Sequence, residues 1–148
     1  MAKCEQLNSE AVQNLFTQAR NVLECAYCPY SKFPVGAALL CKDGTVITGC
    51  NVENASIGGT ICAERSAYTR AVSMGRREFV AVAVVCKHFE LAYPCGLCRQ
   101  FMSEFGDIAV YVGNDSEWSK TPVRLLGDLM PHSFGPQQMA SYSNSKSE

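Results

Sequence analysis

The sequence predicts an α/β fold, a mixed sheet with helices packed on its faces. Two observations carry this. Apolar residues at helical spacing alternate with short β-prone runs, in the order helix, hairpin, helix, strand, helix, strands. The last two strand candidates are separated by only nine residues, 113–121, too few for a helical crossover, so that pair runs antiparallel.

The first helix is expected over 9–24. Val12, Leu15, Phe16, Ala19, Val22 and Leu23 fall on one stripe, Asn8 or Ser9 can cap its start, and Pro29 stops any continuation. Residues 35–41 and 45–50 flank Lys42-Asp43-Gly44, and an Asp-Gly pair between two β-prone runs signals a hairpin. A second helix fits 62–74, with Ala63, Ala67, Ala71 and Met74 in register and Gly75 closing it. Residues 79–86 are apolar on both faces, which places that strand centrally. A third helix fits 97–105 and ends at Gly106. Strands follow at 108–112 and 122–125, then a helical turn near 128–130. The polar stretch 138–148 reads as a frayed tail behind one domain, 1–148, whose ordered core spans about residues 10–137.

Composition narrows the function classes. The chain has 148 residues, 47% of them hydrophobic and 18% charged, enough for one domain with a real core. A net charge of −1 gives no basic footprint for nucleic acid. No apolar run can span a bilayer, and the N-terminus lacks the apolar centre of a signal peptide, so cytoplasmic placement is expected and no membrane partner is. Nine cysteines cannot all pair within one chain, and in a reducing cytosol they stay thiols or bind metal. Cys25, Cys41, Cys50 and Cys86 lie among apolar neighbours and read as small core residues. Cys4 reads as a free thiol near the terminus, and Cys28 sits in a turn.

Cys62, Cys95 and Cys98 remain. Cys95 and Cys98 have the gap that lets two sulfurs reach one ion, and Cys62 also opens a predicted helix. Free N–H groups and the positive dipole end at helix starts favour thiolates. Zinc suits three sulfurs, and three protein ligands leave a fourth position for water, as a catalytic site requires. Glu64 is spaced to take a proton from that water and deliver it to a substrate nitrogen. Arg65 can offset the excess negative charge of three thiolates. Alone, the Cys95/Cys98 pair is equally a redox pair or half a zinc ribbon, and Glu64 equally a solvated helix charge. The two segments together, in order and both at helix starts, favour the catalytic site.

At these residues the sequence resembles the zinc-dependent nucleoside deaminases. Cys62-Ala63-Glu64 stands where many base and nucleotide deaminases have His-x-Glu before Pro-Cys-x-x-Cys, and the Cys version resembles the small cytidine deaminases. The likeness extends to segments 28–38, 49–55, 94–100 and 129–136, roughly residues 10–137 in all. It implies an α/β/α sandwich around a five-stranded mixed sheet, and a homotetramer whose sites are completed across subunits. It implies one Zn²⁺ per subunit on Cys62, Cys95 and Cys98, and proton transfer by Glu64. It further implies a substrate set of Phe33, Asn51, Glu53, Ala63 and Phe134, with Asn51 and Glu53 on the ribose hydroxyls and Phe134 reaching a neighbour's base. Unaided, Asn51 and Glu53 are as consistent with turn chemistry, and Phe33 and Phe134 with core. Ile57 stands where many members carry Tyr.

The activity so implied is hydrolysis of cytidine and deoxycytidine to uridine and deoxyuridine plus ammonia, in pyrimidine salvage. A polynucleotide substrate would call for a basic or aromatic track, and Glu53 would repel a nearby phosphate. A purely structural zinc protein would need a fourth ligand, for which His88 and His132 are the spare candidates. A modified-nucleoside substrate would share the whole mechanism.

Overall fold

The computed structural model describes residues 7–87, 91–114 and 123–144. Helix α1 (Ser9–Leu23) is followed by β1 (Val35–Cys41) and β2 (Val46–Cys50), then α2 (Ala63–Ser73), β3 (Phe79–Cys86), α3 (Gly96–Ser103), β4 (Ala109–Asn114) and β5 (Arg124–Leu125). Two short helices close the chain, α4 (Leu126–Leu129) and α5 (Pro136–Asn144). The strands form one sheet in the order β2-β1-β3-β4-β5. Only β3 and β4 pair in parallel, with α3 as their crossover, and the other pairs are antiparallel. The predicted mixed sheet and the antiparallel last pair are both present.

Side-chain alternation along the strands splits the core in two. Ala37, Leu39, Cys41, Val82, Val84, Val110 and Val112 face α2 and α3, meeting Ala63, Ala67, Tyr68, Ala71 and Met102. Ala38, Ala81, Ala83, Val85, Ala109 and Tyr111 face α1, meeting Val12, Leu15, Phe16, Ala19 and Leu23. Asn8 caps α1 through its side-chain oxygen, which accepts from Ala11 N at 2.8 Å. Gly44 takes φ +84°, the left-handed conformation that the Asp43-Gly44 turn requires.

Helix α2 sits very close to the sheet. A Cβ at Gly49 on β2 would overlap Ala67 N and come within 2.6 Å of Ala63 O. Gly49 therefore lets the first turn of α2, where the site begins, rest on the β2 backbone. Gly36 does the same for α1 against Ala19.

Four expectations change. Residues 136–144 form α5, all exposed, rather than a frayed tail, because the turn at 131–135 delivers Pro136 to a helix start, where proline's fixed φ is suited. Cys25 is exposed rather than core, since it falls just past the last turn of α1. Cys50 is only half buried, on an edge strand. Strand β4 runs further, to Asn114, and β5 is confined to Arg124–Leu125. The expectations for Cys4, His88, Pro122 and residues 145–148 lie outside the described residues. Among those described, no helix is long and apolar enough to cross a membrane.

Candidate active site

Two helix starts meet at one end of the sheet. Cys62 is the N-cap residue of α2 and Cys95 that of α3, both with extended backbone and neither using its side chain to cap. Cys98 lies buried in the first turn of α3. The segment leading to Cys62 is fixed by a two-way bridge: Val52 N donates to Ile61 O and Ile61 N to Val52 O, each at 2.9 Å. That bridge closes the loop 53–60 and delivers Cys62 beside α3.

The Sγ atoms of Cys62, Cys95 and Cys98 all lie within 4.8 Å of one another, and Cys62 Sγ and Cys95 Sγ are 3.8 Å apart. Sulfurs on one tetrahedral zinc, each bonded at about 2.3 Å, stand about 3.8 Å apart. The donor set fits that ion in both chemistry and spacing. Hydrogen bonding with Cys98, reinforced by Arg65 and Cys95, holds the Cys62 thiol well below its ordinary range. Cys98, the other partner of that bond and buried, is pushed up.

Glu64 follows Cys62 into α2 and is only 4% exposed. Burial raises its carboxyl above the ordinary range, and the nearby Cys62 adds to the rise. Arg65 Nη2 donates to Thr60 O at 3.1 Å and lies 3.7 Å from Cys62 Sγ, so its charge faces the thiol cluster. Ala63, at the start of α2, is wholly buried.

Asn51 and Glu53 anchor a loop from its far side. Asn51, 8% exposed, accepts from Val35 N at 2.8 Å and donates through Nδ2 to Phe33 O at 2.9 Å. Glu53 Oε2 accepts from Tyr30 N at 2.9 Å and Ser31 N at 3.1 Å. The Ser31 hydroxyl, together with these backbone N–H groups, holds the Glu53 carboxyl below its ordinary range. Both side chains thus hold the 30–35 backbone.

An open cleft of about 520 Å³ runs over Glu53, Cys62 and Arg65, with Ile57, Thr60 and Leu97 on its walls. Glu53, Cys62 and Arg65 thus share one cleft, and Cys95 and Cys98 join Cys62 in the thiol cluster. Phe33 lines a separate depression beside Lys32 and Pro34. Phe134 is 59% exposed, away from this cleft in its own chain. Sequence reasoning assigned nothing to Ser31, Thr60 and Leu97, whose roles come from contacts across the fold rather than from any local pattern.

Fold and site together place the chain in the class of zinc-dependent deaminases. The particular family follows from comparison: the family model of the cytidine and deoxycytidylate deaminase zinc-binding region matches residues 9–114, and the chain belongs to that family. The cytidine deaminase of Halalkalibacterium halodurans is 55% identical over 129 residues, 86% of this chain and 96% of that protein. The cytidine deaminase of Sporosarcina psychrophila is 44% identical over 132 residues, 87% of this chain and 95% of that one. The crystal structure of the Burkholderia pseudomallei cytidine deaminase superposes with a TM-score of 0.77 at 45% identity, covering 82% of this chain and 98% of that one.

Proposed function

We propose that this chain hydrolyses free cytidine and deoxycytidine to uridine and deoxyuridine plus ammonia, as a cytoplasmic enzyme of pyrimidine salvage. The observation that carries this is the convergence of three thiols at the start of the helix that buries Glu64, with one of them, Cys62, on the wall of a cleft that also holds Glu53.

Cys62, Cys95 and Cys98 would hold zinc, which would supply Lewis-acid activation of a water. Glu64 takes a proton from the attacking water and delivers it to ring N3, which makes C4 more electrophilic. The water oxygen bonds to C4, and the same carboxyl then takes the second proton from that oxygen and carries it to the amino group, so that the C4–N bond breaks, ammonia leaves and the C4 carbonyl of the product forms. Its burial suits the task, since a raised carboxyl can hold a proton as well as accept one. Arg65 offsets thiolate charge through Cys62. Asn51 has used one donor and one lone pair on the 33–35 backbone, so one N–H and one lone pair remain for a ribose hydroxyl. Glu53 keeps acceptor capacity beyond the bonds at Oε2.

The unit we propose is a homotetramer. Leu97 and Ile57, 69% and 68% exposed, stand at the cleft wall, a rim of apolar surface that a neighbouring subunit would cover. Phe33 packs on the nucleoside, the Ala63 backbone contacts the base, and Phe134 enters from the neighbour. Light scattering that gave a monomer would remove this arrangement.

The test is ultraviolet absorbance of purified protein with cytidine, with Glu64→Ala alongside. Conversion by the wild type alone, with one zinc retained per chain in the variant, is expected. No conversion by zinc-loaded wild type overturns the substrate assignment. Loss of zinc from Glu64→Ala overturns the proton-transfer role.

A further inference from the structure

The two residues after Cys98 reach away from the cluster to the C-terminal segment. Arg99 Nε donates to Pro94 O at 2.7 Å, and its Nη1 donates to Leu129 O at 2.8 Å. One guanidinium thus grips the carbonyl just before ligand Cys95 and the carbonyl that ends α4. Gln100 Nε2 donates to Phe134 O at 2.8 Å, five residues further on. Between the two carbonyls the chain turns through His132, at φ +58°. The Phe134 ring is largely exposed in its own chain, so backbone bonds to α3 bear more of its placement than ring packing does.

We propose that Arg99 and Gln100 are positioning residues that hold the Phe134 segment in place from the helix bearing Cys98. This rests on the reading that Phe134 packs on a neighbour's base. It assigns the pair to nucleoside binding rather than to the proton transfers. Because Arg99 also grips Pro94, its loss disturbs the ligand turn as well, whereas the loss of Gln100 disturbs only the Phe134 segment. One subunit's metal turn and the ring it lends to its neighbour therefore share a single hydrogen-bonded strut.

Gln100→Glu keeps the side chain's shape, removes the amide donor and sets an oxygen against the Phe134 carbonyl. Gln100 is exposed, so the core is untouched. The variant is expected to raise KM for cytidine about tenfold, the scale of one lost hydrogen bond, with kcat little changed and one zinc retained per chain. Uridine binding by calorimetry should weaken in step. Gln100→Lys, which keeps an N–H donor, should return KM toward wild type. In a Phe134→Ala background Gln100→Glu should add nothing. Arg99→Met should raise KM and also lower zinc content.

If Phe134→Ala raises KM and Gln100→Glu does not, the strut is refuted while the base-packing reading stands. Effects that add in the double variant refute it too. If Phe134→Ala leaves KM unchanged, the base-packing reading fails and takes this proposal with it.

Discussion

On one face of the sheet α1 lays Val12, Leu15, Phe16, Ala19 and Leu23 over alanines and valines, and every buried side chain there except the tyrosine at 111 is apolar. On the other, α2 and α3 lay alanines, Met102 and Tyr68 over the same strands. Next to that layer, at the helix starts, lie a buried carboxyl, an arginine and three thiols. Both faces use small residues to bring helix and sheet close. Only the second uses that closeness to aim helix N-termini, with their unpaired N–H groups, at one point. The difference teaches where apolar packing ends as an explanation: the α1 face accounts for stability, and the α2/α3 face accounts for stability and for the position of every proposed ligand.

The sharpest way to break that comparison is to change one residue on each face. Glu64→Gln should lower kcat by about a hundredfold to ten-thousandfold, the span typical of general acid–base groups. Its melting temperature should not fall, because a neutral amide is easier to bury than a carboxylate. Leu15→Ala, wholly within the α1 layer, should cost about 2–5 kcal/mol of stability and leave kcat and KM of the folded enzyme unchanged. Steady-state kinetics and a thermal melt on both variants decide this. A Glu64→Gln enzyme that keeps its kcat would erase the distinction.

A finer contrast uses the two close-contact glycines. Gly36→Ala and Gly49→Ala both force a methyl into helix backbone, and each should cost roughly 3 kcal/mol, the upper range for overpacking. Only Gly49→Ala pushes on Ala63 and Ala67, and so on the turn that carries Cys62 and Glu64. Zinc content and kcat should fall with Gly49→Ala and hold with Gly36→Ala once each is folded. Equal zinc loss in both would mean that the site follows global stability and not the seat of α2.

Smaller again is the effect expected at Tyr68. The side chain is wholly buried against Phe79, Phe101 and Phe105, with ring centroids 4.7, 6.2 and 5.3 Å away. Its hydroxyl has no partner among the described residues. An unsatisfied buried hydroxyl is costly, so Tyr68→Phe should stabilise by about 1 kcal/mol. A lowered melting temperature would show that the hydroxyl is satisfied after all.

These contrasts also show what was readable in the residue string. The hairpin at Asp43-Gly44 and the metal set 62/95/98 were legible because local chemistry specifies them: a turn needing positive φ, and ligand spacing at helix starts. The α5 helix was missed because 136–144 is polar and buries nothing, so no periodic stripe marks it. Cys25 was misread because apolar neighbours in sequence say little one residue beyond a helix end. The close packing at Gly49 had no local signal, since it comes from a helix that returns over that residue after a long loop. Asn51 and Glu53 were ambiguous between turn and site, and the structure explains why: both hold the 30–35 backbone, and Glu53 also lines the cleft.

The smallest effect tests that double use. Glu53 is held below the ordinary carboxylate range first by the Ser31 hydroxyl, then by the N–H groups of Tyr30 and Ser31. A carboxylate whose folded value is depressed keeps its bonds above its unfolded value and loses them as pH falls through the folded one. Wild-type KM for cytidine should therefore hold as pH falls into the ordinary carboxylate range and rise only below it. Ser31→Ala removes the leading contribution and should move that rise to higher pH, toward the ordinary value, while KM at neutral pH changes little. Glu53→Gln cannot ionise, so it should abolish this acid limb and carry a raised KM at every pH. If Ser31→Ala leaves the limb where it was, the Ser31 hydroxyl is only a loop contact, and the carboxylate proposed to meet the ribose is tuned by the backbone N–H groups alone.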